Sequence, residues 1–331
     1  MKKHPYKIDI PVLLIFFCRD EQFKKVFEQV KIARPSKLYL YQDGARENRI
    51  DDIKGIKKCR EIAEDIDWEC EVHKLYQEEN YGCDPSEYIA QKWMFEKEEM
   101  GIVLEDDDIP SQSFFPFCKD LLEKYKDDER INMICGMNNT DVSEHIDSDY
   151  LFTKKGSIWG WASWKRVVDT WDENYSWLND KEKLKHIKTQ FNSNKEFKSY
   201  IETSKRHKES GRAHYESILA ASLYLNSRLN IVPKYNMISN IGIAEESTHA
   251  VSDLRILPKR TQKLLYKNTY EIEFPLKHPK NICRDFTFER NMTPSVIQRS
   301  YDKVESIIRS IIYDDFKGVC NRVNKKLKRS I

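Results

Sequence analysis

The sequence predicts an α/β protein: a mostly parallel, Rossmann-like sheet flanked by helices. Two observations carry that expectation. Roughly the first hundred residues alternate between short apolar runs and stretches with apolar residues at helical spacing, a βαβαβαβ rhythm. The runs are also continuous in apolar character, as strands covered on both faces require.

Each element follows from its own pattern. Residues 12–17 form the first apolar run, and residues 21–32 set Phe23, Val26, Phe27 and Val30 on one helical face. Pro35-Ser36 punctuates, and Leu38-Tyr39-Leu40-Tyr41 reads as a second strand closed by Gln42-Asp43-Gly44. A helix over 53–66, a strand over 70–75, a helix over 88–98 and a strand over 100–104 complete the first half. Beyond them lie a helix over 114–125 and a strand over 131–135. From Tyr150 the texture changes, with Trp159, Trp161, Trp164, Trp171 and Trp177 close together. Residues 181–208 are polar and lysine-rich, and are predicted as a helical lid or acceptor-side insertion. A helix over 217–225 and strands over 229–232 and 237–243 follow.

Bulk properties exclude several classes. A chain of 331 residues with 40% hydrophobic and 33% charged residues suits a globular protein of one large or two medium domains. A net charge of +2 gives no field that points to nucleic acid. No run approaches the ~20 apolar residues of a membrane span. The early apolar run ends in Arg19-Asp20 without a cleavage site, so no signal peptide is expected and the protein is placed in the cytoplasm. Eight cysteines without C-x-x-C spacing read as reduced and mostly buried, with no zinc site. The ten glycines form neither a G-x-G-x-x-G nor a P-loop pattern.

The most informative cluster is Glu105-Asp106-Asp107-Asp108, placed directly after the strand over 100–104. Open α/β sheets put their ligands at the C-terminal ends of their strands. Four carboxylates there call for a cation, and a divalent metal holding a phosphate-bearing substrate answers that need. Two further strand-end signals, Cys18-Arg19-Asp20 and Gln42-Asp43-Gly44, should project from the same edge. Asp43 is placed to accept from a base N–H or a ribose hydroxyl, or else makes a tight Asp-Gly turn. Arg19 is placed to meet a phosphate or a base carbonyl.

The segment Ile102-Val103-Leu104-Glu105-Asp106-Asp107-Asp108-Ile109-Pro110 resembles the metal-binding segment of GT-A-fold glycosyltransferases. It is most similar to the "EDD" version of the N-acetylglucosaminyltransferase I type and of bacterial nucleotide-diphospho-sugar transferases. Ile10-Pro11-Val12-Leu13, Arg34-Pro35-Ser36, Asn80-Tyr81-Gly82-Cys83, Trp159-Gly160-Trp161-Ala162-Ser163-Trp164 and Ser239-Asn240-Ile241-Gly242 extend the likeness over about residues 8–280. The resemblance implies a GT-A domain of two halves, 1–136 for the nucleotide sugar and 137–285 for acceptor and catalysis. A helical basic extension would follow over 286–331. It implies Mn²⁺ or Mg²⁺ on Asp107 with His249 as a second ligand, Glu105 and Asp106 on the donor, and Cys18, Arg19 and Asp43 around the base. Asp108 is a spare acid expected to face solvent. Trp159, Gly160 and Trp161 are assigned to the acceptor wall, where aromatic faces would stack on sugar, with burial in the core as the other reading, and Trp171 and Trp177 are assigned to the core.

The implied reaction moves a sugar from a nucleotide-diphosphate donor, UDP-sugar favoured, to a hydroxyl of a glycan or lipid-linked glycan acceptor, with inversion. A base must take the acceptor proton. Where relatives carry Trp-Asp-x-Trp or Trp-Asp-Tyr-Gln, this chain has Ala213-His214-Tyr215-Glu216. Both His214 and Glu216 are candidates; Glu216 is preferred because a carboxylate also stabilises positive charge on the sugar ring. Two other readings stand beside this one: a sugar-phosphate nucleotidylyltransferase, and a catalytically inactive homologue that binds a carbohydrate or a partner. Finally, residues 304–331 pair apolar positions at helical spacing with a basic end. That pattern suits either a docked terminal helix or peripheral contact with an anionic membrane.

Overall fold

The computed structural model describes residues 3–242 and 254–313. Its order begins β1 (Ile8–Phe16), α1 (Asp20–Ala33), β2 (Pro35–Gln42), α2 (Ile50–Ala63), β3 (Glu71–Tyr76), α3 (Cys83–Phe95), β4 (Met100–Glu105). It continues with β5 (Asp108–Pro110), α4 (Phe114–Lys124), β6 (Ile131–Cys135), β7 (Tyr150–Thr153), β8 (Trp161–Trp164) and α5 (Lys165–Val168). The remainder is α6 (Lys181–Lys188), α7 (Asn194–Ser210), α8 (Tyr215–Leu225), β9 (Leu229–Pro233), β10 (Ile238–Asn240), α9 (Lys259–Gln262), α10 (Phe286–Met292) and α11 (Val296–Tyr313).

Eight strands form one sheet in the order β3-β2-β1-β4-β8-β6-β9-β7, and β5 pairs with β10 in a separate ribbon. β3, β2, β1 and β4 are all parallel, whereas β8 runs antiparallel between β4 and β6. The fold is α/β and Rossmann-like, as the sequence predicts.

The continuous apolar strands are explained by the two cores. Val12, Leu14 and Phe16 of β1 face the side covered by α1, α2 and α4, while Leu13 and Ile15 face α3 and α8. The same alternation divides Leu38 and Leu40 from Tyr39 and Tyr41, and Ile102 and Leu104 from Val103. Each such side chain contributes roughly 1.5–3 kcal/mol by leaving water, so the register of these strands is strongly fixed.

The lysine-rich stretch is helical, as expected, and is divided into α6 and α7, with Ser193 capping the second by accepting the Glu196 N–H. One expectation needs correction. The amphipathic terminal helix begins eight residues earlier than the pattern predicts, at Val296, and is described to Tyr313. Its basic end lies outside the described residues.

Gly160 leads into β8 with φ of +60°, and a Cβ there would sit 2.4 Å from the Ile238 Cδ1 on β10. Its N–H donates to the Asp108 Oδ2 at 2.8 Å. Gly160→Ala therefore meets both backbone strain and a clash, at an expected cost of about 2–4 kcal/mol. Urea denaturation checks this, and an unchanged midpoint would contradict it.

Candidate functional site

Parallel pairing sets Phe16 beside Gln42 and Ile15 beside Glu105, so the three strand-end signals meet at one edge. There a cavity of about 380 Å³ opens, walled by Phe17, Arg19, Asp43, Glu87, Glu105 and Asp106, among others. The link from β1 to α1 is only Phe17-Cys18-Arg19, short enough to carry Arg19 straight over the end of β4. Gly55 of α2 allows this: a Cβ there would lie 2.1 Å from the Cys18 carbonyl oxygen. Cys18 itself is buried behind the wall, with its thiol 3.8 Å from Asp52.

Arg19 bonds Asp106 through two guanidinium nitrogens and reaches Asp107 at 2.8 Å. Burial opposes the guanidinium charge, but Asp106 and Asp107 outweigh it and hold the proton more firmly than usual. Asp107 is nevertheless raised above the ordinary carboxylate range, first by burial, with Arg19 pulling the other way. Glu87, Glu105 and Asp108 are raised well above that range, again chiefly by burial and then by neighbouring acids, Asp108 for Glu87, Glu87 for Glu105 and Asp107 for Asp108. Five carboxyls thus crowd this edge.

Asp108 is not the spare, solvent-facing acid expected. It is fully buried and accepts from the Gly160 N–H, the Glu105 N–H and Asn240 Nδ2. Asn240 spans Asp107 and Asp108 at 2.9 and 3.1 Å, because β10 pairs against β5 with Asn240 opposite Asp108. The next turn needs glycine as well, since a Cβ on Gly242 would fall 2.2 Å from the Asp107 carboxylate. Asp108 is therefore the pin that fixes the turn presenting Asp106 and Asp107.

Asp43 walls the cavity, but its carboxylate is committed. It accepts from Gly44 N, Tyr81 N, Gly82 N and Asn80 Nδ2 at 2.8–3.0 Å. Burial raises its pKa and these bonds lower it, with burial the larger effect. The expected contact with a base gives way to a role in shaping the turn over 80–82, which starts α3.

The aromatic wall is also revised. Trp161 is 1% exposed, stacks with Phe95 and belongs to the core, because its β8 position lies between β4 and β6. Trp159 packs partly buried against the other core, and Gly160 is buried at Asp108. None of the three walls the cavity. Trp171 and Trp177 are core residues. His249 lies outside the described residues.

The two base candidates separate. His214 Nδ1 lies 3.2 Å from Asp84, which walls the cavity, and His214 Nε2 lies 3.0 Å from the Ser210 hydroxyl. Glu216 is exposed, and neither it nor His214 is among the cavity's walls; His214 touches a wall residue, Asp84. Sequence reasoning missed Asp84, Glu87, Arg46 and Arg212, all in the walls. Arg46 forks onto Asp52 with two 2.7 Å bonds. Tyr215 was missed too: its buried hydroxyl makes no hydrogen bond among the described residues and feels the charges of Glu105 and Glu87.

A hard divalent cation fits these donors. Carboxylate oxygens are what Mg²⁺ and Mn²⁺ prefer. Among the described residues no group of three or more His, Cys, Asp or Glu is arranged to hold a metal ion by itself.

The buried acids give the site a pH signature. A carboxyl raised on folding keeps its proton where the unfolded chain has lost it. Its contribution is full below the ordinary carboxylate range and is lost as pH rises toward the folded pKa. Glu87→Gln removes one such group while preserving shape, so the unliganded variant should show a flatter stability–pH profile as pH rises above the ordinary carboxylate range. Thermal melts over that rise in pH measure it; an unchanged slope would show that Glu87 does not titrate this way.

No family model matches this chain, and no curated protein does. Solved structures give only loose likenesses. A UDP-glucose pyrophosphorylase complexed with UDP-glucose has a TM-score of 0.35 at 10% identity, over 70% of this chain and 92% of that chain. An apo UDP-glucose pyrophosphorylase gives 0.35 at 9%, over 71% and 93%. An inositol-1-phosphate CTP transferase from T. maritima gives 0.31 at 10%, over 52% and 77%. Scores this low carry no argument about function.

Proposed function

We propose that the cavity binds a nucleotide-diphosphate sugar together with Mn²⁺ or Mg²⁺, and that the protein is a cytoplasmic glycosyltransferase acting on a glycan or lipid-linked glycan hydroxyl. One observation carries this reading: Arg19, Asp106 and Asp107 are brought together at the strand edge, beside a cavity of about 380 Å³. A UDP-sugar is the favoured donor, and inversion the favoured outcome.

In this reading Asp106 and Asp107 would hold the cation, and the chemistry it would supply is charge neutralisation for the departing diphosphate. Arg19 then exchanges one carboxylate for a phosphate oxygen, a bidentate partner it suits equally well. Arg46 and Arg212 add positive charge at the wall. Geometry favours His214 over Glu216 as the base. With Nδ1–H donating to Asp84, Nε2 faces the Ser210 hydroxyl and exchanges that partner for the acceptor hydroxyl when it takes the proton. Asp84 is then a positioning residue.

Sugar-phosphate nucleotidylyl transfer is the second reading, and it is what the names of the loosely similar structures describe. Such a reaction needs a loop that cradles a triphosphate. The three-residue link after β1 contains no glycine, and α1 opens with Asp20 and Glu21, which repel phosphate. This is the support for glycosyl transfer over it.

The readings part on products. A glycosyltransferase releases nucleoside diphosphate from a nucleotide sugar plus acceptor, whereas a nucleotidylyltransferase releases pyrophosphate from a nucleoside triphosphate plus sugar 1-phosphate. Pyrophosphate release would overturn the main proposal, and tight binding without either product would favour the inactive homologue.

Two further outcomes are expected. Nucleoside diphosphate should raise the melting temperature only with Mn²⁺ or Mg²⁺, and Asp107→Asn should abolish the metal-dependent part. His214→Ala should lower kcat by about 10²–10⁴-fold and Glu216→Gln by less than about threefold. The reverse order in steady-state kinetics would return the base to Glu216.

A further inference from the structure

Helix α11 is docked the wrong way round for a globular protein. Its polar side faces the body: Arg309 donates to the Arg255 carbonyl at 3.0 Å, Glu305 accepts the Lys259 N–H at 3.3 Å, and Asp302 lies 3.9 Å from Arg260. Arg309 and Glu305 also pair with each other at 2.7 Å. Residues 302, 305 and 309 share one helical face by their spacing. Ile297, Tyr301, Val304, Ile308 and Ile311 fall on another, and they are between 49% and 82% exposed. Ile312 extends that face at 63%. A helix normally buries this stripe against its own core; here it is turned outward, a contiguous apolar patch of the kind that marks an interaction surface.

Charge identifies the occupant. Lys303 is exposed on the flank of the stripe away from the docked side. The chain continues beyond α11 with Lys317, Arg322, Lys325, Lys326, Lys328 and Arg329, and with no acid after Asp315. An exposed apolar helix face next to a cationic segment is complementary to an anionic lipid surface, where apolar side chains enter the headgroup boundary and Lys and Arg meet phosphates. Among the described residues no helix is long and apolar enough to cross a membrane. We infer that α11 lies in the plane of an anionic membrane, with Ile297, Tyr301, Val304, Ile308 and Ile311 inserted, so that the protein is peripherally anchored through this helix. The inference does not rest on the proposed glycosyl transfer.

Flotation of the full chain with vesicles tests it. Phosphatidylcholine–phosphatidylglycerol vesicles should carry the protein, and phosphatidylcholine alone should carry much less. Ile308→Glu with Ile311→Glu should reduce binding by at least about tenfold, and Ile297→Glu, at the other end of the stripe, should weaken it too. These side chains lie outside the core, so thermal melts of the variants should match the parent. Nucleotide binding without vesicles should also be unchanged, which separates this test from that of the donor site. Absence of flotation by the parent chain would overturn the inference. So would flotation that the glutamates leave intact, which would assign binding to the basic segment alone. A dimer by light scattering that the glutamates dissolve would make a second copy the occupant instead.

Discussion

The arrangement of the cavity depends on one electrostatic contact, the guanidinium of Arg19 against Asp106 and Asp107. It ties the end of β1 to the end of β4 and makes a buried acidic turn tolerable. Without a cation there, Asp106 and Asp107 would stand unneutralised beside Glu87, Glu105 and Asp108, whose carboxyls this environment already pushes toward the neutral form. Everything around the contact serves to hold it. Gly55 lets the Cys18-Arg19 corner settle onto α2, Asn240 orients Asp107, and Asp108 fastens the turn to Gly160.

This contact is also an exchange site. An arginine that neutralises two acids in the unliganded protein is positioned to share them with an incoming metal and phosphate, because the charge balance is the same before and after. The two carboxylates paired with Arg19 supply the negative field at this edge, which favours a divalent over a monovalent cation. That division of labour links the short β1–α1 connection, a property of the fold, to the chemistry proposed for the edge of the sheet.

Much of this was legible in the sequence. Continuous apolar runs located β1, β2 and β4, because a strand covered on both faces leaves no other pattern, and acids following such a run marked the edge that matters. What was not legible depends on contacts distant in sequence. Asp108 looked spare because nothing near it in the chain announces Gly160 or Asn240 as partners. Trp161 looked like a wall because aromatic residues serve cores and sugar sites equally well, and only its place between β4 and β6 decides. Asp84 carried no signal, since an acid in the first turn of a helix is ordinary, and Glu87 carried none because glutamate is a common helix former. Helix α11 shows the same limit: its periodicity was readable, but which face it buries was not.

The saturation of Asp43 alters how this protein's variants should be understood. Four donors occupy its two oxygens, three of them backbone N–H groups. A substitution at Asp43 would release the turn over 80–82 and tilt the start of α3, moving Asp84 and Glu87 together. Weakened substrate affinity in such a variant would report a wall that has shifted, and would say nothing about whether the carboxylate ever touched the ligand.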